Sequence, residues 1–229
     1  MVYGLMHEIE SVEDVKHLLH DSENKEGYTR AFLAHCHLTE SDLLYVDWGS
    51  EVEKEESKIV TNNGVRISSP PYFLVRHEKT KSLVLCIRGS WNVKDYITDM
   101  KCSTVPWEFG SAHEGIALIA DSMYRDELLN RSIVEAFRDH PDYRLVAVGH
   151  SLGAGIASLL TIRWRTTHLY HNPICYAIAP PPILSSEVQD KGIGYVFSFV
   201  NEDDIVPRLS KDGMEDVIRL VRHWMENHK

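Results

Sequence analysis

"YRLVAVGHSLGAGIASLL", Tyr143 to Leu160, passes from apolar and β-branched residues into Gly-His-Ser-Leu-Gly and out into a small-residue segment. The run up to Gly149 has the short, continuously apolar character of a strand buried on both faces. After Ser151 the chain reads as a helix to about Arg165, with Ala154, Gly155, Ala157 and Ser158 letting it lie tightly on a sheet. One serine therefore sits at the seam of strand and helix, between Gly149 and Gly153. The glycines have a physical task there, because a Cβ on either side of so tight a turn would collide with neighbouring backbone.

The same alternation extends outward. Upstream, "YFLVRHE" (72–78) and "SLVLCIRG" (82–89) read as strands, and downstream "ICYAIA" (174–179) and "GYVFSFV" (194–200) do the same. Between the second strand and Tyr143 the stretch "EGIALIADSMYRDELLNRSIVEAFRDH" (114–140) is helical, and a closing helix is expected from about Gly213 to the end. Strands alternating with helices imply right-handed crossovers and a mainly parallel sheet covered on both faces. Nearer the N-terminus, Ile9, Val12, Val15, Leu18 and Leu19 have helical spacing, and Tyr28–His37 reads as a second helix packed by Phe32, Leu33 and Cys36. "DWGSEVEKEESKIVTNNG" (47–64) is charged and turn-rich, so a loop is expected. The expectation is one α/β domain over 1–229, with N-terminal helices at about 5–40 and a core at about 70–229.

Composition narrows the function classes. At 229 residues the chain can bury a sizeable core without disulfide or metal staples. A formal charge of −10 argues against nucleic acid, since nothing here neutralises a row of phosphates. The first twenty residues have neither a basic n-region nor a long apolar core, so no signal peptide is expected. No run reaches the ~18 apolar residues of a membrane span. The four cysteines show no metal-ligand spacing, and Cys86 and Cys175 read as buried free thiols. A reducing, cytoplasmic compartment is expected, with peripheral contact at membranes or lipid droplets as the variant.

Active sites of parallel α/β sheets gather at the carboxyl ends of the strands, where Ser151 falls. Gly149-His150-Ser151-Leu152-Gly153 in a strand–turn–helix setting marks Ser151 as a candidate nucleophile. The helix N-terminus aims free N–H groups at the site, and the N–H of Leu152 is placed to bind an oxyanion. A nucleophilic serine needs a base, and the base an orienting acid. "NEDD" ends the strand near Phe199 with Glu202, Asp203 and Asp204, and the residues alone do not choose among the three. That turn could also collect oxygen ligands for calcium, but its spacing matches no EF-hand loop.

Four blocks, "LCIRGSWNVKDYITDM" (85–100), "AHEGI" (112–116), "VGHSLGAG" (148–155) and "DDIVPRL" (203–209), together resemble the class 3 lipases, and most of all their diacylglycerol lipase branch. The resemblance implies an α/β-hydrolase-type fold and cleavage of acylglycerol esters. It implies Ser151 as nucleophile, Asp204 as the acid with Asp203 only its neighbour, and Ser90 after Arg88-Gly89 as the second oxyanion donor. Arg88 and Gly89 are expected to hold the turn, and His113 to be structural. In fungal members the helix at "WNVKDYITDM" is a lid. Val93, Tyr96, Ile97 and Met100 do form one apolar stripe, which fits a lid and a packed helix equally. Val105, Trp107 and Phe109 in the following "CSTVPWEFGS" read as apolar groups of an unstructured, acyl-lining or membrane-facing loop.

The base departs from the family pattern. The family histidine comes well past the aspartate, and here Lys229 follows Asp204 by only 25 residues. Of 13 histidines, only His223 and His228 stand in the right order. His223, some ten residues into a helix rising ~1.5 Å per residue, would sit well over 10 Å from the site. His150 is expected to point away from the serine hydroxyl, and His35 and His37 carry no feature that recommends them. The fold is thus expected to be C-terminally short, as a shortened form of a longer lipase or as one that lacks the base.

The resulting expectation is a serine hydrolase of acylglycerols acting through an acyl-enzyme on Ser151, with Leu152 and Ser90 as oxyanion hole and Asp204 as acid. No metal or organic cofactor is expected, and its partners are a lipid ester and a transient membrane surface. The rivals are a non-catalytic lipase-like binder of lipid or protein and a short-chain carboxylesterase.

Overall fold

A computed structural model describes residues 25–49, 59–64, 66–89, 104–108, 110–185, 188, 190–208, 219 and 223–224. The expected helix at 7–20, Ser90, the 91–100 helix, Phe109, His228 and most of the closing helix lie outside the described residues. The chain divides into two compact units, Met1–Leu44 and Tyr45–Lys229. In the first, α1 (Lys25–His35) buries Phe32 and Leu33 as expected, whereas Cys36 falls just past its end and is only half-buried.

In the second unit the described residues form a six-stranded sheet. Its strands are β1 (Leu43–Asp47), of which Tyr45–Asp47 belong to this unit, β4 (Tyr72–His77), β5 (Ser82–Ile87), β8 (Arg144–His150), β9 (Ile174–Ile178) and β10 (Val196–Phe199). They lie in the order β1-β4-β5-β8-β9-β10. β4 runs antiparallel to β5, while β5, β8, β9 and β10 are parallel neighbours. Parallel neighbours need crossovers: the helices α2 (Glu114–Tyr124) and α3 (Glu127–Asp139) lie between β5 and β8, and α4 (Leu152–Thr166) between β8 and β9.

α4 is buried on nearly every side, from Leu152 to Trp164. Two of its buried polar side chains find partners within the helix itself. Ser158 Oγ donates to the Ala154 carbonyl at 2.8 Å, and Thr161 Oγ1 to Ala157 at 2.7 Å. The small residues do more than let α4 onto the sheet. A Cβ on Gly155 would stand 3.2–3.4 Å from side chains of Ile183, Ile116 and Pro181, so this glycine admits α2 and the loop after β9. Cys86 and Cys175 are buried thiols, as expected, and burial pushes Cys175 up to about 12.

Several elements differ from the reading of the sequence. The stretch 114–140 is two helices, because the Asp126 carboxylate accepts from the N–H groups of Leu128 and Leu129 and starts α3 afresh. The excursion at 47–64 contains β2 (Ile59–Val60), which pairs with β3 (Arg66–Ile67). The loop expected around Trp107 is a hairpin of β6 (Thr104–Trp107) and β7 (Gly110–His113). Trp107 is buried in it rather than offered to lipid, and the guanidinium of Arg163 stacks over its ring. Arg163 also bonds Glu108 at 2.7 Å and Asp121, tying the hairpin tip to α2 and α4.

Candidate active site

The site is built at the carboxyl end of β8. Ser151 has φ 54° and ψ −122°, a conformation costly for a residue with a Cβ and tolerated only where the surroundings enforce it. Its N–H donates to the Ile178 carbonyl at 2.9 Å, and its own carbonyl accepts from Ala154 and Gly155 N–H groups. These bonds tie the strained residue to β9 on one side and to the first turn of α4 on the other. Neighbouring backbone closes in on both flanks. A Cβ on Gly149 would lie 2.2 Å from the Gly153 carbonyl, and one on Gly153 would lie 2.4 Å from the Ile87 carbonyl at the end of β5. The seam needs glycine at both places.

α4 begins at Leu152, so the N–H groups of its first turn, Leu152 included, face the end of β8 with the positive end of the helix dipole. The turn after β5 arrives at the same place: a Cβ on Gly89 would sit 2.5 Å from the His150 carbonyl. Gly89 thus brings the backbone before Ser90 against the peptide that precedes Ser151. Ser90 itself lies outside the described residues.

Asp204 follows β10, two strands from β8 in a parallel run. Ser151 and Asp204 therefore both follow the carboxyl ends of strands in one parallel run. The Asp204 carboxylate accepts from the Val206 N–H at 3.0 Å, and Arg208 donates to the Asp204 and Glu202 carbonyls, fixing the turn. Glu202 and Asp203 are exposed in the same turn. Among the described residues no histidine hydrogen-bonds Ser151 or Asp204. His150 is exposed with its ring beside Gly89, and His223 is exposed on a helical segment. His113 caps α2, its Nδ1 accepting from Ile116 N–H at 3.4 Å, which is the structural role expected of it.

The loop after β9 also packs beside the serine turn. Ala179 takes φ 48° and donates its N–H to the Phe199 carbonyl at 2.8 Å. Pro180-Pro181-Pro182 and Ile183 then pass over Gly155 beside the elbow. Three prolines directly after an apolar strand were the available signal. A basic cavity lined by Arg165, His168, Tyr170, His171 and Asn172 is not part of this site, since it lies past the far end of α4.

A mainly parallel sheet with a strained serine between β8 and α4 defines an α/β-hydrolase-type protein. The model of the family Lipase (class 3) matches residues 84–214, and the chain belongs to that family. Diacylglycerol lipase-beta of Mus musculus is 36% identical over 165 residues, covering 69% of this chain and 24% of that protein. Diacylglycerol lipase-alpha of Homo sapiens is 32% identical, covering 64% of this chain and 15% of that protein. The chain therefore spans a quarter or less of the length of these two relatives. Among solved structures, a fungal lipase superposes with TM-score 0.54 at 27% identity, covering 63% of this chain and 54% of that one. A triacylglycerol lipase superposes with TM-score 0.60 at 20% identity, covering 79% and 65%, which is a likeness of fold.

Proposed function

We propose that this chain carries the serine-hydrolase site of an acylglycerol lipase. One observation carries the reading: Ser151 is held at positive φ on the carboxyl end of β8, under the first N–H groups of α4. A backbone strained at this seam lifts one hydroxyl out of both flanking elements, where an ester carbonyl can meet it. Ser151 Oγ attacks that carbonyl and becomes acylated as the alcohol leaves. The N–H groups of Leu152 and Ser90 receive the tetrahedral oxyanion, and the acyl-enzyme is released by water. Asp204 orients the imidazole that takes the serine proton. The class of substrate is taken from relatives named as diacylglycerol and fungal lipases. Among the described residues no helix is long and apolar enough to cross a membrane, and contact with the lipid is proposed to be peripheral, from the cytoplasm.

The test is fatty-acid release from dispersed diacylglycerol by the purified chain, with Ser151→Ala alongside. Release that Ser151→Ala abolishes, rising sharply once the substrate aggregates, is the expected result. No release above the Ser151→Ala background would overturn the reading and leave a lipase-like binder. Release confined to short soluble esters would make the protein a carboxylesterase.

A further inference from the structure

The start of β4 lies at the sheet edge that carries Ser151, because β4 runs antiparallel to β5, which is itself parallel to β8. Tyr72, the first residue of β4 and 3% exposed, pairs across from Ile87, the last residue of β5. Its hydroxyl donates to Asp126 Oδ2 at 2.5 Å and lies 3.3 Å from Asp47 Oδ2. The Asp126 carboxylate is itself immobilised, because Oδ1 accepts from Leu128 and Leu129 N–H at 2.9 and 3.1 Å. Tyr45 adds a weaker bond to Oδ2 at 3.2 Å. The first turn of α3 is thereby fastened to the first residue of β4.

That fastening continues into the turn after β5. Arg88 N–H donates to the carbonyl of Pro71, the residue before Tyr72, at 3.0 Å. On its other side the turn meets the elbow, where a Cβ on Gly153 would stand 2.7 Å from the Arg88 carbonyl and one on Gly89 2.5 Å from the His150 carbonyl. Residues 87–89 are therefore held between a face set by Tyr72 and Asp126 and a face set by the serine turn. No side chain of Tyr72 or Asp126 needs to meet substrate to matter here. The geometry points to Tyr72 and Asp126 as positioning residues that fix the backbone leading to the second oxyanion donor. This rests on the ester-hydrolase reading of Ser151. An oxyanion donor must be in place before charge develops, since reorganising it during the reaction forfeits its value.

Tyr72→Phe is the discriminating variant, since it removes one oxygen and leaves the Asp126 cap of α3 intact. It is predicted to lower kcat roughly ten-fold, as a displacement well under 1 Å would. KM should change by less than about two-fold, because the lost interaction serves the transition state. Hydrogen exchange at the Arg88 amide should quicken in the same variant, a readout that needs no turnover. Tyr45→Phe loosens the same carboxylate from β1, which neighbours β4 and not β5 in the sheet, and should leave kcat unchanged. Tyr72→Phe with wild-type kcat, or equal losses in Tyr45→Phe and Tyr72→Phe, overturns the inference. Wild-type protein that neither turns over ester nor takes a fluorophosphonate label overturns the hydrolase reading, and the positioning role falls with it.

Discussion

Gly149 and Gly153 meet backbone to backbone across the turn that carries Ser151, so closely that a Cβ on Gly149 would lie 2.2 Å from the Gly153 carbonyl. No flexible side chain is available to yield at that contact, because the atoms in the way are carbonyl and amide. Gly149→Ala must therefore open the seam between β8 and α4. We expect a loss of about 3 kcal/mol of stability by denaturant titration, the upper part of the range for overpacking. Hydrolysis should fall further than the unfolded fraction explains.

Ser151 itself is a site of stored strain, with φ 54°. Ser151→Gly should relieve a conformation costing roughly 1–3 kcal/mol, partly offset by the greater freedom of glycine in the unfolded chain. The expected outcome is a protein more stable by about 1 kcal/mol that has lost all hydrolysis. A Ser151→Gly variant less stable than wild type would show that the elbow is not strained.

Arg163 joins three elements with one guanidinium, which bonds Glu108 and Asp121 and stacks over Trp107 and Tyr124. Its side chain is only 20% exposed, so its loss leaves the largely covered carboxylates of Glu108 and Asp121 without their shared cation. Arg163→Met should cost roughly 2 kcal/mol, below the 3–5 of a fully buried pair. Added Glu108→Gln should restore part of that, a coupling readable in a double-mutant cycle.

Alkaline pH should unfold the protein through its tyrosines. Burial raises Tyr72 well above its ordinary value of 10.0, with the bond to Asp126 adding to it. Burial likewise raises Tyr45 to about 12, helped by Asp126 and Asp47. Raised folded values mean that the native state keeps protons the unfolded chain has released. Stability is then full below pH ~10 and falls as pH climbs from there through about 12. Tyrosinate absorbance should show a fraction of tyrosines titrating only with loss of secondary structure, and Tyr72→Phe should flatten the decline. Smooth titration of all ten tyrosines near their ordinary value in folded protein would contradict this.

The parallel strands and the serine turn were legible because each is a local pattern: a short apolar run, a glycine pair and a helix of small residues. β6 was not, since Pro106 interrupts its alternation and a Glu108 at φ 48° forms a turn that residue type does not announce. The start of α3 was hidden because apolar spacing continues through Asp126, whose capping role shows only in its bonds. Tyr72 and Asp126 are 54 residues apart, and the partners of Arg163 lie 55 and 42 away. Contacts at such separations are made by the fold and leave no local trace. Ser151 was readable because a strained turn needs glycines beside it in sequence. Only family resemblance separates Asp204 from Glu202 and Asp203, because all three occupy one turn after β10.

The central claim is that Ser151 is an activated nucleophile, and covalent labelling tests it without any choice of substrate. The intact chain should be incubated with a fluorophosphonate, digested, and its adduct located by mass spectrometry. The account predicts one adduct, on Ser151, absent from Ser151→Ala and slowed in Asp204→Asn. A folded wild-type chain that stays unlabelled, or labelling that persists undiminished in Ser151→Ala, would contradict it.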